Sequence, residues 1–485
     1  MGSKSGSTEA LELPTLPGAA PSDFVAEEHS RLESLNFASP EDEESGESVS
    51  NLPPVDGGFG SWSYARLTRC SSLASAFLVE MLVWGFPSAF GSFLEAYLRE
   101  DDIVSQPHAT SLLPLIGTLS TGIMYCSGPI SYPLSSRFRQ YRRPAMWLGM
   151  TISWASLFGA SFTRKVTNLL LLQGVLYSLG GVILYPAAIS YMSEWFIAKR
   201  GLALGVIDGG TAAGGLIIPL FLPKLISTYG SSLTLRYFSF GYLIGTMIVL
   251  PFIRPRLSER GTVIRPSQRV SNNAWARSPH WWLILLVNMI QGFAWFVPVI
   301  WLPTYTAELG VSSSTASLSL AFLNGASFIS RLSFGTLSDY FSPWPLACAV
   351  LSSASVVTFL LWGVAGHALA GTIIFALAFG GLTGGWTSMW SAFTKPIAKD
   401  DISLYVSLFG HLMFTRGLGN VLSTPISNGL SSAQGSNNSG LYKRATGFEV
   451  AGGRFGSMIV FTGSCLAAGA AISFFAWWRE RAGRQ

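Results

Sequence analysis

The sequence predicts an all-α polytopic membrane protein, with twelve transmembrane helices in two six-helix bundles and a disordered N-terminal tail. Three observations predict it. Of the 485 residues, 49% are apolar and only 12% charged, about half the charge of a typical soluble chain. Twelve stretches are long and apolar enough to cross the ~30 Å hydrocarbon core of a bilayer. Fifty-one glycines suit helices that must approach one another closely in lipid.

Residues 1–60 hold twelve of the 26 acidic residues and only Lys4 and Arg31 as basic ones. This Ser-, Pro- and Gly-rich acidic head has too little apolar surface to fold, so it reads as a disordered cytosolic tail. It lacks the basic start and apolar core of a cleaved signal segment. Six apolar stretches follow, at 73–98, 109–133, 145–162, 167–192, 201–226 and 235–252. They make an N-terminal bundle within 61–252. A polar, basic cytosolic linker spans 253–279. The C-terminal bundle, within 280–485, has stretches at 281–305, 315–337, 344–365, 368–393, 402–432 and 456–478. Pro425 is expected to kink the long 402–432 segment. Cys70, Cys126, Cys348 and Cys465 are far apart and read as small buried residues, with no disulfide framework or zinc spacing.

Lys and Arg counts set the orientation. With both termini in the cytosol, the inside segments hold 19 basic residues and the outside loops eight. The sequon at Asn437 then falls in the last outside loop, the face on which glycosylation occurs. The two halves also carry an internal echo. Tyr132-Pro-Leu134-Ser-Ser136-Arg137 follows the second stretch, and Gly335-Thr-Leu337-Ser-Asp339-Tyr340 follows the eighth, 203 positions later.

These two turns resemble degenerate copies of the Gly-x-Leu-x-Asp-Arg loop of the major facilitator superfamily. Pro53-Pro54-Val-Asp56-Gly57-Gly58-Phe59-Gly60-Ser-Trp62 resembles the opening motif of its monocarboxylate transporter-like family. Trp84-Gly85-Phe86-Pro87-Ser88 and the segment Trp195-Phe196-Ile-Ala-Lys199-Arg200-Gly-Leu202-Ala203-Leu-Gly205 are similar to that family too, in its fungal branch. The resemblance covers residues 53 to about 478. It implies the major facilitator fold and alternating-access transport. Family members that carry small monocarboxylates with a proton have a Lys where this chain has Ser88. They also have an Asp four residues before the helix-8 Arg, where this chain has Ser327. The cation itself is kept, as Arg331.

Ionisable residues inside a bilayer are costly and usually face a cavity or a partner. Arg331 is read as the binding group for a carboxylate, which a guanidinium meets in a two-pronged fork; the alternative is a structural ion pair. Glu80 and Asp208 are the proton-coupling candidates, Glu80 having pairing with Arg331 or Arg416 as its alternative. Arg416, Asn324, Ser88 and Trp84 complete the substrate-binding set. Asn288, Gln291 and Gln173 offer neutral hydrogen bonds, and His411 reads as structural. Trp295, Trp386 and Trp390 could line the path with Trp84, although lipid contact is the preferred reading for each aromatic. Gly205, Gly209, Gly210, Gly214 and Gly215 are expected to pack the fifth helix against the other bundle. Lys199 and Arg200 are expected to meet lipid phosphates.

No Walker loop, hydrolase elbow or His/Cys cluster is present, so no enzyme, metal or cofactor is expected. The basic linker reads as a contact for anionic lipid rather than nucleic acid. The expected protein is a monomeric secondary transporter of the plasma membrane, or of a vacuolar or other internal membrane. Its cargo is a small organic solute, foremost an organic acid, moved by symport or efflux and possible proton coupling. The alternatives are an exporter of a neutral or cationic secondary metabolite and a non-transporting membrane sensor.

Overall fold

A computed structural model describes residues 64–196, 199–256, 273–399, 401–432 and 445–482. The expected tail, the 53–62 motif, most of the linker and Asn437 lie outside the described residues. The described residues form one compact unit. The described residues build twelve helical rods, in register with the twelve expected stretches. These are α1 (Tyr64–Tyr97), α2 (Ala109–Cys126, continued by Gly128–Arg137), α3 (Arg142–Ala160), α4 (Val166–Trp195), α5 (200–229) and α6 (231–249). The second set is α7 (Pro279–Ala307), α8 (Ser313–Tyr340), α9 (Pro343–His367), α10 (Leu369–Ala398), α11 (Ile402–Ser432) and α12 (Gly456–Ala482).

Local chemistry sets several boundaries. Gly230, at φ 81° and ψ 168°, is the single hinge between α5 and α6; a side chain there would be strained. Ser312 caps α8 by accepting a bond from Thr315 N–H. Pro at the first position opens α7 and α9, where its missing N–H costs nothing. α11 runs through Pro425 without a break in its helical assignment. Leu148, Ile244, Ile329 and Leu360 project outward as exposed apolar side chains, as a lipid-facing surface requires.

Eight described segments are long and apolar enough to cross a membrane on their own, and one of them holds both α5 and α6. α3, α8 and α11 are the rods outside that set. α8 and α11 carry Arg331 and Arg416 and many hydroxyls, because they turn polar faces toward the centre of the protein. Polarity in a spanning helix is tolerated when protein rather than lipid surrounds it.

Two seams join the halves, α5 against α8 and α2 against α11, and each repeats the other. A Cβ on Gly205 would stand 2.3 Å from the Arg331 carbonyl oxygen, and one on Gly410 would stand 2.4 Å from that of Gly128. Asn324 Nδ2 donates to Gly215 O at 3.3 Å, and Asn420 Nδ2 donates to Thr121 Oγ1 at 2.7 Å. The sequence echo lies at one end of these seams. Both carboxylate oxygens of Asp339 accept from the first turn of α5, from Gly201 N–H at 2.8 Å and Leu202 N–H at 2.9 Å. Its counterpart Ser136 meets Ser403 Oγ at 3.2 Å, in the first turn of α11. Arg137, Arg139, Arg142, Arg143, Lys199, Lys395 and Lys399 gather at the same end, called the basic end below. There Glu194, almost fully buried, takes ion pairs from Arg142 at 2.6 Å and Arg139 at 2.8 Å.

Three sequence expectations are corrected. The α5 glycines do not all face the other half: Gly210 and Gly214 lie against Phe77 and Met81 of α1, in the same half. A small-residue stripe cannot tell which neighbour it admits. The cysteines are not uniformly buried, since Cys70 is exposed and the other three are partly exposed. Arg200 does not extend from the surface as expected but turns into a cavity. It is 3% exposed, and its guanidinium carbon lies 4.4 Å from the centre of the Tyr405 ring.

Candidate functional site

A cavity lies between the halves, bounded by both seams. It encloses about 770 Å³ of space, counting its open mouth. All seven substrate-binding and proton-coupling candidates within the membrane line it: Glu80, Trp84 and Ser88 of α1, Asp208 of α5, Asn324 and Arg331 of α8, and Arg416 of α11. The eighth named candidate, Asn437, lies outside the described residues.

The local backbone holds each charge in place. Arg331 Nε donates to Gly384 O at 3.3 Å, and Arg331 Nη1 donates to Asp208 O on α5. Gly384 ends the first part of α10, and a 3-10 turn, Thr387–Met389, follows. The interrupted helix leaves a carbonyl available to the guanidinium. Ser327, where the proton-coupled monocarboxylate carriers that the chain resembles have Asp, is fully buried, and Gly384 packs against it within 2.6 Å of an added Cβ. A carboxylate there would have no room. On the other seam, Arg416 Nη1 donates to Gln291 Oε1 at 2.6 Å, and Arg416 Nε has no hydrogen-bond partner.

The carboxylates sit across from these cations. Glu80 Oε1 accepts from Thr211 Oγ1 at 2.5 Å, while Glu80 Oε2 and Asp208 Oδ2 have no hydrogen-bond partner. Among the described residues, no ion pair joins either acid to Arg331 or Arg416. Two buried positive and two buried negative groups thus share one chamber without neutralising one another in direct contact. An unpaired buried charge is costly, so the chamber suits a guest, or protons, that complete it.

Aromatic rings form the rest of the wall. The Trp84 ring lies 4.6 Å from Tyr125, tilted by 45°, and 6.0 Å from Tyr185, while the Phe296 ring centre lies 5.5 Å from the Arg416 guanidinium carbon. The preferred reading of the four tryptophans as lipid-facing is overturned. Trp84, Trp295, Trp386 and Trp390 are all at most 5% exposed. Trp84, Trp295 and Trp390 line the cavity, and Trp386 does not. Asn288 accepts from Trp386 Nε1 at 2.8 Å and Trp390 Nε1 at 3.0 Å, and donates to Leu412 O at 2.7 Å. It fixes α10 and α11 on α7 rather than touching a guest. Gln173 Nε2 donates to Tyr97 Oη at 2.8 Å while its Oε1 has no hydrogen-bond partner, and His411 Nδ1 lies 2.9 Å from Ser407 O beside Trp275. Neither lines the cavity.

Sequence reasoning missed Thr211, Tyr125, Tyr185 and Phe296. Thr211 was within reach, because it lies one turn after Asp208 and shares its face. The Tyr and Phe residues carried no local signal that separates cavity from core.

Paired helical halves around a central polar chamber define a membrane transporter, in which solute sites sit between the halves. The Major Facilitator Superfamily profile matches residues 72–424, and the chain belongs to that family. It is 28% identical over 446 residues to "MFS-type transporter hasB" of Aspergillus fumigatus, covering 88% of this chain and 96% of the relative. It is 26% identical over 382 residues to the "Fujikurins efflux protein" of Gibberella fujikuroi, covering 78% of each. Among solved structures, the proton:xylose symporter XylE aligns with a TM-score of 0.62 at 14% identity, covering 85% of this chain and 96% of that one. The protein is therefore a multi-pass membrane transporter of the major facilitator type, acting on a small-molecule solute.

Proposed function

We propose that the protein is a secondary-active exporter of an organic acid with an apolar or aromatic body. The observation that carries this reading is the placement of Arg331 and Arg416 in one aromatic-walled cavity with no acid paired to either. A guanidinium offers in-plane donors that match a carboxylate. The Trp84, Tyr125 and Phe296 rings would cover the rest of the guest, with Asn324 and Ser88 as neutral donors. Glu80 and Asp208 are the groups that would carry the coupling proton. Export is favoured over uptake by the name of the fujikurins relative. The monocarboxylate-like motifs support membership of that branch of the family.

In this reading 61–252 and 280–485 are the two moving bodies, linked by 253–279. The basic end, both termini included, faces the cytosol, and Asn437 is a glycosylation site on the far face of the plasma membrane. The basic-end excess of Lys and Arg supports this placement.

Comparing intracellular and medium metabolites with and without the gene identifies the cargo class. An acid retained in cells that lack the transporter is expected. Retention of amines or neutral metabolites alone would replace this reading with export of a neutral or cationic solute, with Glu80 as its partner. Once the cargo is known, proteoliposome flux at two pH values tests coupling. Glu80→Gln is expected to lose the pH dependence of flux while still exchanging cargo. Flux that stays fully pH-dependent would remove Glu80 from the proton path.

A further inference from the structure

Arg200 opens a second site, at the basic end and outside the solute cavity. Its side chain is 3% exposed and lines a separate cavity with Ser338, Ser342, Ser391, Tyr340 and Lys395. Its Nε donates to Phe196 O at 2.9 Å, but Nη1 and Nη2 have no hydrogen-bond partner. The Tyr405 ring covers the face of the guanidinium. The four N–H groups on Nη1 and Nη2 point in the plane, which stacking does not satisfy. Asp339 also lines the cavity, yet its two oxygens accept from Gly201 N–H and Leu202 N–H. A buried guanidinium with four unmet donors is a costly arrangement.

We propose that this cavity binds a phosphate group, held by Arg200 from α5 and Lys395 from α10. Arg200, Lys395 and Asp339 leave the cavity wall with a net charge of about +1, which suits a singly charged phosphate such as a phosphodiester or a monoanion. A phosphate presents several acceptor oxygens, which a guanidinium takes in a fork and an ammonium takes as a point charge. The Ser342 hydroxyl is a further donor, whereas Ser338 and Ser391 donate theirs to the Gly335 and Ser388 carbonyls. The two cations belong to different halves, so the ligand ties α5 to α10 across the α5–α8 seam. It therefore favours the arrangement in which the basic end is closed. Tyr340 and Phe341, 75% and 60% exposed, stand at the cavity's rim. Such aromatic residues suit the headgroup level of a bilayer, which makes a phospholipid headgroup one source and soluble phosphate the other.

The test is thermal unfolding of the purified full chain in neutral detergent. One arm adds inorganic phosphate, against chloride at equal ionic strength. The other adds short-chain phosphatidic acid, against phosphatidylcholine. A rise of about 2–4 °C in either arm, saturating with ligand, is expected. A response to inorganic phosphate makes the source soluble; a response to phosphatidic acid alone makes it lipid. Lys395→Gln, at an exposed position that folding does not need, should weaken the apparent affinity about tenfold, and Arg200→Gln should abolish the response. No rise in either arm, or an equal rise in Lys395→Gln, would overturn the proposal.

Discussion

Arg331→Ala is expected to lower carboxylate flux by at least about thirtyfold. Removing one partner of a desolvated, hydrogen-bonded charge pair costs about 2–5 kcal/mol, and 1.4 kcal/mol is a factor of about ten. Arg331 also bridges α8 to the Asp208 carbonyl of α5 and the Gly384 carbonyl of α10, so a structural contribution must be separated from binding. Arg331→Lys does this. It keeps the charge and loses the fork, so a carboxylate that needs two-pronged contact should remain poorly carried. The readouts are proteoliposome flux and the melting temperature of each variant. Full carboxylate flux in Arg331→Ala, in a protein that melts like the parent, would remove the guanidinium from the cargo site.

The second large effect is at the seams. A methyl group at Gly205 would stand 2.3 Å from the Arg331 carbonyl oxygen, and one at Gly128 the same distance from the Gly410 carbonyl oxygen. Backbone atoms cannot turn aside as a side chain can. Gly205→Ala and Gly128→Ala should therefore force α5 from α8 and α2 from α11, at a cost of about 1–3 kcal/mol in the closed basic end. That is a shift of population away from this arrangement of about 5- to 150-fold. Ser338→Cys, at a position 5% exposed that faces Gly201 across the α5–α8 seam, should then react faster with a soluble thiol reagent. Gly381→Ala is the control, because nothing lies within 4 Å of the added carbon. Equal labelling rates in all three would mean that the seams yield without opening.

Most of the fold was legible in the sequence because lipid imposes a length and a polarity on every spanning segment. The twelve stretches appear as α1 to α12, most with ends shifted by a few residues and α1 beginning nine residues earlier, at Tyr64, and the predicted turn between the fifth and sixth shrinks to Gly230. The candidate site was legible for the same reason. Charge inside hydrocarbon is rare enough that Glu80, Asp208, Arg331 and Arg416 stood out, and the structure gathers all four into one chamber. Aromatic residues gave no such signal. A tryptophan is equally at home in lipid, core or cavity wall, so Trp84 and Trp390 could not be assigned from the chain alone.

By itself, then, the sequence determined how many helices cross the membrane, which end is basic, and which buried charges require an explanation. Each follows from a residue's own transfer cost between water and hydrocarbon, which does not depend on its neighbours. Only the tertiary structure decided that Gly205 meets Arg331 while Gly210 meets Phe77, that Arg200 turns inward under Tyr405, and that neither cavity acid pairs with a guanidinium. Those outcomes depend on which helix faces which, and packing between distant segments leaves no periodic trace in either one.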